Sequence, residues 1–185
     1  TEEHKRVSDM RFVESAAKEV GSVLRAGNLC VLESTSPPYS TRMVEKIVSE
    51  TSGLAPEQFM TAHCPERIIP GRMLIELREN DRIIGSNRPE SAQFAKEIYE
   101  KVVTGGTIRL TDDLTAEMCK LTENTFRDIN IAYANELSKV CDRLGIDVFK
   151  LIELANCHPR VNVHTPGVGV GGHCIAVDPW FIHEK

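Results

Sequence analysis

The chain has 185 residues, of which 41% are hydrophobic and 26% are charged, a composition typical of a globular protein. Its net charge of -5 argues against a general nucleic-acid-binding protein, which would carry a basic patch. No apolar run approaches the ~20 residues that a transmembrane helix needs, so we expect no membrane partner.

The first residues of the chain bear on whether it is a fragment, and its cysteines bear on the redox compartment. The sequence starts at Thr1 without a methionine or a recognisable signal peptide, which indicates a fragment or a trimmed protein. Its six cysteines have no short regular spacing, and several lie in apolar segments. This pattern favours a reduced, cytoplasmic protein over a disulfide framework.

The first 110 residues alternate helical and strand patterns. Apolar residues at intervals of three and four predict helices over 9–26, over the residues before Gly53, and over 89–103. Short apolar runs predict four strands, at 29–33, 58–63, 82–85 and 107–110. This alternation predicts an α/β fold with a mostly parallel sheet that is covered on both faces.

Two polar segments follow the first two predicted strands. They are ESTSPP at 33–38 and CPE at 64–66. In parallel sheets, ligands bind beyond the carboxyl ends of the strands, which makes both segments candidate ligand sites. For Thr35 taken alone, an ordinary helix-capping role is the simpler interpretation.

A long helical pattern without glycine or proline runs from about 113 to 144, and a shorter helix is predicted over 148–155. Lys120, Asn124 and Arg127 are spaced by four and three, so one helix face carries all three. A solvated polar stripe is the ordinary interpretation of such a face. Against that interpretation, the asparagine adds no ion pair, and the flanking Cys119 and Phe126 indicate a partly buried face.

A glycine-rich segment, GVGVGG at 167–172, lies just before Cys174. It matches G-x-G-x-x-G, but a dinucleotide fingerprint must follow a strand and open a helix. A polar, proline-broken segment precedes it, and Asp178-Pro179 is expected to stop a helix. The sequence therefore predicts a loop that presents Cys174 as a nucleophile, with an inert cysteine in a surface loop as the alternative.

Four segments together resemble the UDP-glucose/GDP-mannose dehydrogenase family. They are ESTSPP at 33–38, CPER at 64–67, AEMCKLTEN at 116–124 and GVGVGGHCIAVD at 167–178. Their amino-acid sequences, especially CPERIIPG at 64–71, resemble those of the branch that oxidises UDP-N-acetyl-D-mannosamine. The resemblance covers nearly the whole chain, with the segments in family order.

The resemblance implies a domain organisation and partners. Residues 1–110 would be the C-terminal half of a Rossmann-like NAD-binding domain. Residues 111–185 would be a long helix and a helical central domain for dimerisation and substrate, carrying the cysteine loop. The partners would be NAD, a UDP-sugar and further copies of the chain in a homodimer or larger homo-oligomer. Because the true NAD phosphate loop and the nucleotide-sugar domain are absent from this sequence, we expect these residues alone to be inactive.

The implied reaction oxidises the C6 hydroxyl of the sugar to a carboxylate through a thiohemiacetal and a thioester. The catalytic residues would be Cys174 (nucleophile), Lys120 (oxyanion stabilisation), Asn124 (a hydrogen bond to sugar or water), Asp178 (with Lys120 on the attacking water), Glu66 (thioester hydrolysis) and Thr35 (near the nicotinamide and that water). The substrate-binding residues would be Lys120, Asn124, Arg160, His164 and Gly171. The cofactor-binding residues would be Ser34, Thr35, Glu66 and Cys174.

Other interpretations remain open at this stage. Pro70 and Val177 replace a glutamate and a lysine of the UDP-glucose branch, which weakens a UDP-glucose substrate but leaves other UDP-N-acetylhexosamines. A different class is a metal-binding module built from Cys157-His158, His164 and His173-Cys174, but this spacing matches no standard zinc pattern, and we expect no metal. A non-catalytic dimerisation module would explain the long helix and leave the four catalytic positions of the central domain unexplained.

Overall fold

The computed structural model describes residues 8–68, 71–172 and 174–183. The elements in chain order are α1 (Arg11–Val23), β1 (Leu29–Leu32), α2 (Ser40–Ser52), β2 (Met60–His63), α3 (Met73–Glu79), β3 (Arg82–Gly85), α4 (Pro89–Tyr99), β4 (Ile108–Thr111), α5 (Asp113–Leu144), α6 (Val148–Ala155) and α7 (Asp178–His183). The chain divides into two compact units. The first contains the described residues up to Lys120 and those from Trp180, and the second contains Leu121–Pro179.

The four strands form one sheet in the order β1-β2-β3-β4. The pairs β1–β2 and β3–β4 are parallel, which confirms the predicted α/β fold with a mostly parallel sheet. The middle pair is antiparallel and has a single register pair, His63 with Gly85. The Ser86 hydroxyl extends this junction, since it donates to the Thr61 carbonyl at 2.7 Å. Strands β2 and β3 therefore run in opposite directions and pair only at their ends.

Two apolar clusters cover the sheet in the first unit. The first cluster joins α1 and α2 to β1 and contains Ala17, Leu32, Val44, Val48 and Phe59. The second joins α4 to β2 and β3 and contains Ala62, Cys64, Ile84, Ala92 and Ala95. The 3₁₀ turn at Pro56–Gln58 delays the start of β2 to Met60. The predicted strands and helices are otherwise recovered, with shifts of at most four residues at their ends.

Gly85 allows the sheet to approach the start of α5 closely. A Cβ at this position would lie 2.3 Å from the Asp112 carbonyl oxygen and 2.5 Å from the Ala116 Cβ. Both distances are far below van der Waals separation, and the Asp112 atom belongs to the backbone and cannot rotate away. The close packing of β3 against α5 therefore requires glycine here.

The second unit consists of the rest of α5, helix α6 and the segment that follows. Cys141 on α5 packs against Val148 and Ile152 on α6. Asp147 caps α6, since its carboxylate accepts the Phe149 amide at 2.9 Å. Both predicted helices have the predicted ends.

Two helices differ from the sequence-based expectation. The pattern did not reveal α3, a short helix of seven residues. Asp178-Pro179, expected to stop a helix, instead begins α7. Proline is tolerated in the first turn of a helix because the amide it lacks would have no helical partner there.

Within the residues that the structure describes, no helix combines the length and apolar composition needed to cross a membrane.

Candidate active site

The carboxyl ends of β1 and β2 lie at the same edge of the sheet, as the sequence predicted. The two strands are parallel and in register from Leu29 with Met60 to Leu32 with His63. Beyond the strands, the Glu66 amide donates to the Glu33 carbonyl at 3.1 Å. The segments that follow the strands are therefore neighbours, and they bring the Thr35 and Glu66 regions to one edge.

We call residues 33–41 the threonine loop. Within it Ser34 is exposed and Thr35 is half-buried. Helix α2 begins at Ser40 with Tyr39 as its N-cap residue. The helix-capping interpretation of Thr35 is therefore wrong, because several residues separate Thr35 from the helix. Its hydroxyl is not committed to the end of α2.

A buried carboxylate from α5 holds the threonine loop. Glu117, 1% exposed, accepts the Tyr39 amide at 2.7 Å, the Thr41 amide at 2.7 Å and the Thr41 hydroxyl at 2.6 Å. Burial raises the pKa of Glu117, and its hydrogen bonds to Thr41 and Tyr39 oppose that rise. One turn earlier on α5, buried Asp113 pairs with Arg42 at 2.7 Å. Glu117 was not among the predicted site residues, because a glutamate in a helical pattern is usually on the surface.

Glu66 is turned back onto its own loop. Its Oε1 accepts the Arg67 amide at 2.6 Å and the Ile68 amide at 2.8 Å. Its side chain is 40% exposed and forms a 3.4 Å ion pair with Arg82, which is 1% exposed. Beneath the loop the Arg82 guanidinium lies 5.9 Å from the Tyr99 ring centroid, within cation–π range. Glu66 thus combines an exposed surface with a fixed orientation.

Of the predicted site residues in the second unit, the structure brings Asn124 and Asp178 together. The Asn124 amide donates to Asp178 Oδ2 at 2.5 Å, and each residue is only 4% exposed. Lys120, one turn earlier on α5, is half-buried, whereas Arg127 is exposed. The predicted polar face of α5 is therefore divided, and its buried member is the asparagine.

We call residues 161–177 the cysteine loop. The described residues of this segment lie outside helices and strands, as expected, which excludes the dinucleotide fingerprint at 167–172. Gly169 and Gly172 have φ values of 154° and 94°. Cys174 is exposed, and its carbonyl accepts the Asp178 amide at 2.9 Å, which leads the chain into α7. His173 lies outside the described residues.

The three predicted substrate-binding residues around this loop have different surroundings. Arg160 and Gly171 are exposed. His164 is half-buried, with its ring edge-on to Phe126 at 6.3 Å between centroids. Its Nε2 is buried and has no hydrogen-bond partner among the described residues. His164 therefore has a packing contact on one side and an unused polar atom on the other.

The metal-binding interpretation finds no geometric support in the described residues. Across that part of the chain, no group of three or more His, Cys, Asp or Glu side chains is arranged to hold an ion. The Cys157 thiol instead donates to the Glu153 carbonyl at 3.5 Å. All six cysteines are free thiols.

The residues present fit part of a dinucleotide site. The threonine loop offers the hydroxyls of Ser34 and Thr35 at the carboxyl edge of β1 and β2, where cofactors bind in open α/β sheets. The glycine-rich match in the cysteine loop does not fit a pyrophosphate, since no strand leads into it. The described residues therefore fit only the part of the cofactor that would bind at the carboxyl edge of β1 and β2.

Comparison with known families identifies both parts of the chain. The model for the NAD binding domain of the UDP-glucose/GDP-mannose dehydrogenase family matches residues 1–103, and the model for the central domain matches residues 114–185. The chain belongs to the UDP-glucose/GDP-mannose dehydrogenase family. The resemblance found in the sequence is confirmed.

Individual relatives narrow the comparison. The chain is 56% identical over 182 residues to an NDP-N-acetyl-D-galactosaminuronic acid dehydrogenase of Ralstonia solanacearum, covering 94% of this chain and 43% of the relative. It is 50% identical over 184 residues to a UDP-N-acetyl-D-mannosamine dehydrogenase of Methanococcus maripaludis, covering 100% of this chain and 41% of the relative. The chain therefore spans less than half the length of these relatives.

A solved structure shows the same fold. The UDP-D-ManNAc dehydrogenase of Pyrococcus horikoshii superposes with a TM-score of 0.93 at 44% identity, over 97% of this chain and 43% of that one.

Proposed function

We propose that the full-length protein oxidises the C6 hydroxyl of a UDP-N-acetylhexosamine to the carboxylate, with UDP-N-acetyl-D-mannosamine as the preferred substrate. The observation that carries the proposal is the buried Asn124–Asp178 pair, whose aspartate lies four residues after the exposed Cys174. A buried polar pair beside an exposed nucleophile is costly for stability and suits covalent chemistry. The names of the relatives support the substrate class.

The proposed reaction uses NAD⁺, which accepts one hydride in each of two oxidations. Loss of the first hydride and a proton converts the C6 alcohol to an aldehyde. The Cys174 thiolate adds to that aldehyde and the oxygen takes a proton, which gives a thiohemiacetal. Loss of the second hydride and a proton gives a thioester. Water then adds to the thioester and the C–S bond breaks, which releases the carboxylate, a proton and the Cys174 thiol. A covalent thioester divides one difficult oxidation into easier steps.

In the second half of the chain, three residues would support these steps. Lys120 would stabilise the oxyanions that develop at C6, a role for which one donor typically contributes about 10²–10³ in rate. Asn124 would hold the sugar or a water by hydrogen bonds while remaining bonded to Asp178. Asp178 would act with Lys120 on the attacking water.

Residues at the sheet edge would serve the cofactor and hydrolysis. Thr35 and Ser34 would contact the nicotinamide end through their hydroxyls. Glu66, held by Arg82 and two amides, would assist hydrolysis of the thioester, with one carboxylate face exposed. Cys174 would lie beside the cofactor during the second oxidation. The fixed orientation of Glu66 supports this role because a general base must be aimed at its water.

The remaining predicted residues would bind the substrate. Arg160 has an exposed guanidinium, which suits the phosphate or carboxylate of a substrate bound by a partner subunit. His164 has a buried Nε2 available for a hydroxyl, and Gly171 would let the backbone approach the sugar.

The choice of sugar rests on sequence differences. Pro70 and Val177 disfavour UDP-glucose, and the relatives named for N-acetylated sugars support the acetamido class. UDP-N-acetylgalactosamine is the second candidate because one similar relative is named for that series.

We further propose two domains, 1–110 for NAD and 111–185 for substrate and dimerisation, in a homodimer or larger homo-oligomer. These residues alone would be inactive. A reduced cytoplasmic setting fits the free thiols and a thiolate mechanism.

The decisive test uses the full-length enzyme with UDP-N-acetyl-D-mannosamine, UDP-N-acetylgalactosamine and UDP-glucose. We expect two NADH per sugar, the highest kcat/KM for the first substrate, and a uronate by mass spectrometry. Cys174→Ala should abolish acid formation, whereas Cys157→Ala, an exposed cysteine outside the proposed site, should not. Acid formation by Cys174→Ala would refute the thioester route.

A further inference from the structure

The threonine loop contains a strained residue. Tyr39 has φ 73° and ψ 7°, and it is the one non-glycine residue with positive φ in the described ranges. For a residue with a Cβ, the left-handed conformation costs roughly 1–2 kcal/mol. Such strain persists only where the surrounding structure over-determines it, and it is concentrated at functional sites.

Glu117 is the group that favours this strained conformation. Its two carboxylate oxygens accept the backbone amides on either side of Ser40, from Tyr39 and from Thr41, both at 2.7 Å. The third bond, from the Thr41 hydroxyl at 2.6 Å, fixes the plane of the carboxylate. Hydrogen bonds to a charged acceptor are the strong ones, and three of them offset the strain at Tyr39.

Glu117 also lies one helical turn before Lys120 on α5. The same helix therefore carries the proposed oxyanion cation and the carboxylate that holds the loop bearing Thr35. Within the same loop, the Ser36 hydroxyl donates to the Ser34 carbonyl at 3.0 Å, a bond that spans Thr35.

We infer that Glu117 is a positioning residue: it holds Tyr39 in the left-handed conformation and thereby fixes Thr35 relative to Lys120 during the two oxidations. This inference rests on the proposed function for its kinetic consequences, although the loop geometry can be tested without substrate. Glu117 itself needs no contact with the substrate or the cofactor for this role.

Glu117→Gln in the full-length enzyme tests the inference. The Gln carbonyl still accepts from Thr41, but its NH₂ group faces the Tyr39 amide, and two donors cannot bond. We expect kcat to fall about 10²-fold, because small misplacements of reacting groups cost that much. The KM for the UDP-sugar should stay within about twofold, since uniform substrate binding is not removed. Glu136→Gln, an exposed glutamate on the same helix, is the matched control and should leave kcat unchanged.

Tyr39→Gly separates positioning from general stability. Glycine adopts positive φ without strain, so the loop needs less support from Glu117. We expect the Tyr39→Gly/Glu117→Gln double variant to recover kcat to within about tenfold of the unsubstituted enzyme. A Glu117→Gln variant with undiminished kcat would overturn the inference. So would a kcat loss that Tyr39→Gly does not recover in a protein with a normal melting temperature.

Two further measurements keep the outcome decisive. If Glu117→Gln does not fold, Thr41→Val removes one of the three bonds and should lower kcat about tenfold, again with recovery by Tyr39→Gly. Hydrogen exchange of the peptide covering residues 36–43 needs no activity. We expect faster exchange in Glu117→Gln and recovery in the double variant. Unchanged exchange would refute the loop role, whereas absence of sugar oxidation with altered exchange would refute only the proposed function.

Discussion

The threonine loop and the cysteine loop both carry proposed catalytic residues, but different forces hold them. A buried side chain 76 to 78 residues away in sequence holds the threonine loop through three charged hydrogen bonds. Side-chain amides hold the cysteine loop at separate points: Asn156 bonds the Val163 amide at 2.8 Å, and Asn135 bonds the Gly167 amide at 2.8 Å. Beyond Gly167, the positive φ values of Gly169 and Gly172 set the path of the backbone.

The two loops would support different steps of the proposed reaction: hydride transfer at Thr35 and covalent chemistry at Cys174. Thr35 would act in hydride transfer, which requires a fixed geometry, and its loop is fixed by a desolvated carboxylate. Cys174 must approach the substrate carbon and later release it, and its thiol is exposed in a glycine-rich segment. Substitutions that affect the threonine loop and the cysteine loop should therefore have different kinds of effect.

The largest expected effect comes from the rigid polar pair next to the cysteine loop. Asn124→Ala removes the amide that bonds Asp178 at 2.5 Å. We expect kcat of the full-length enzyme to fall about 10²–10³-fold, the usual cost of one lost electrostatic donor. Asn130→Ala, on the same helix with its amide bonded to the Phe126 carbonyl, is the control. Comparable losses in both variants would mean that the helix, and not the pair, determines activity.

A second prediction uses pH to distinguish the stability of the first unit from that of the second. His63 is 1% exposed, and burial lowers its pKa from 6.5 to about 4. As the pH falls from 6.5 to 4, the unfolded chain binds a proton that the folded chain does not. The free energy of unfolding should therefore fall, by at most about 3 kcal/mol. His63→Gln removes this dependence.

Hydrogen exchange checks where that loss falls. Peptides from 29–63, behind the threonine loop, should lose protection between pH 6.5 and 4. Peptides from 141–156, in the second unit, should keep theirs. Parallel loss in both regions would show that the two units unfold together, and the contrast between the loops would then be a contrast of geometry alone.

The smallest expected effect concerns the glycines of the cysteine loop. Gly172 has φ 94°, so Gly172→Ala should destabilise the folded chain by about 1–2 kcal/mol through backbone strain. Gly167→Ala is the matched control, because Gly167 is absent from the positive-φ glycines and a Cβ there meets nothing within 4 Å. Chemical denaturation measures both. A Cβ meets nothing within 4 Å at Gly172 either, so equal effects would indicate that the positive φ of Gly172 does not determine stability.

Much of the fold could be predicted because it is locally encoded. Helix α5 has a long apolar period without glycine or proline, and its ends are where the pattern predicts them. The carboxyl edge of β1 and β2 followed from two apolar runs and the polar segments after them. The antiparallel register at His63 and Gly85 was not visible, because strand direction depends on the path of the chain between strands.

The support around the site could not be predicted for a related reason. Glu117 occupies a helical position where sequence alone indicates a solvated side chain, and its partners are loop amides with no sequence signature. The sequence identifies Arg82 only as the first residue of a strand. It does not reveal that the Arg82 side chain is buried against Tyr99. The proposed reacting residues were found through the wording of motifs, whereas the residues that hold them are defined only by tertiary contacts.

Gly85 sets a limit on how this chain can vary. A Cβ there would lie 2.3 Å from a backbone carbonyl at the start of α5, so even alanine would force the helix and the sheet apart. In a library randomised at every position and selected only for folded protein, position 85 should return almost nothing but glycine. Gly167, which borders open space, should accept many amino acids in the same experiment.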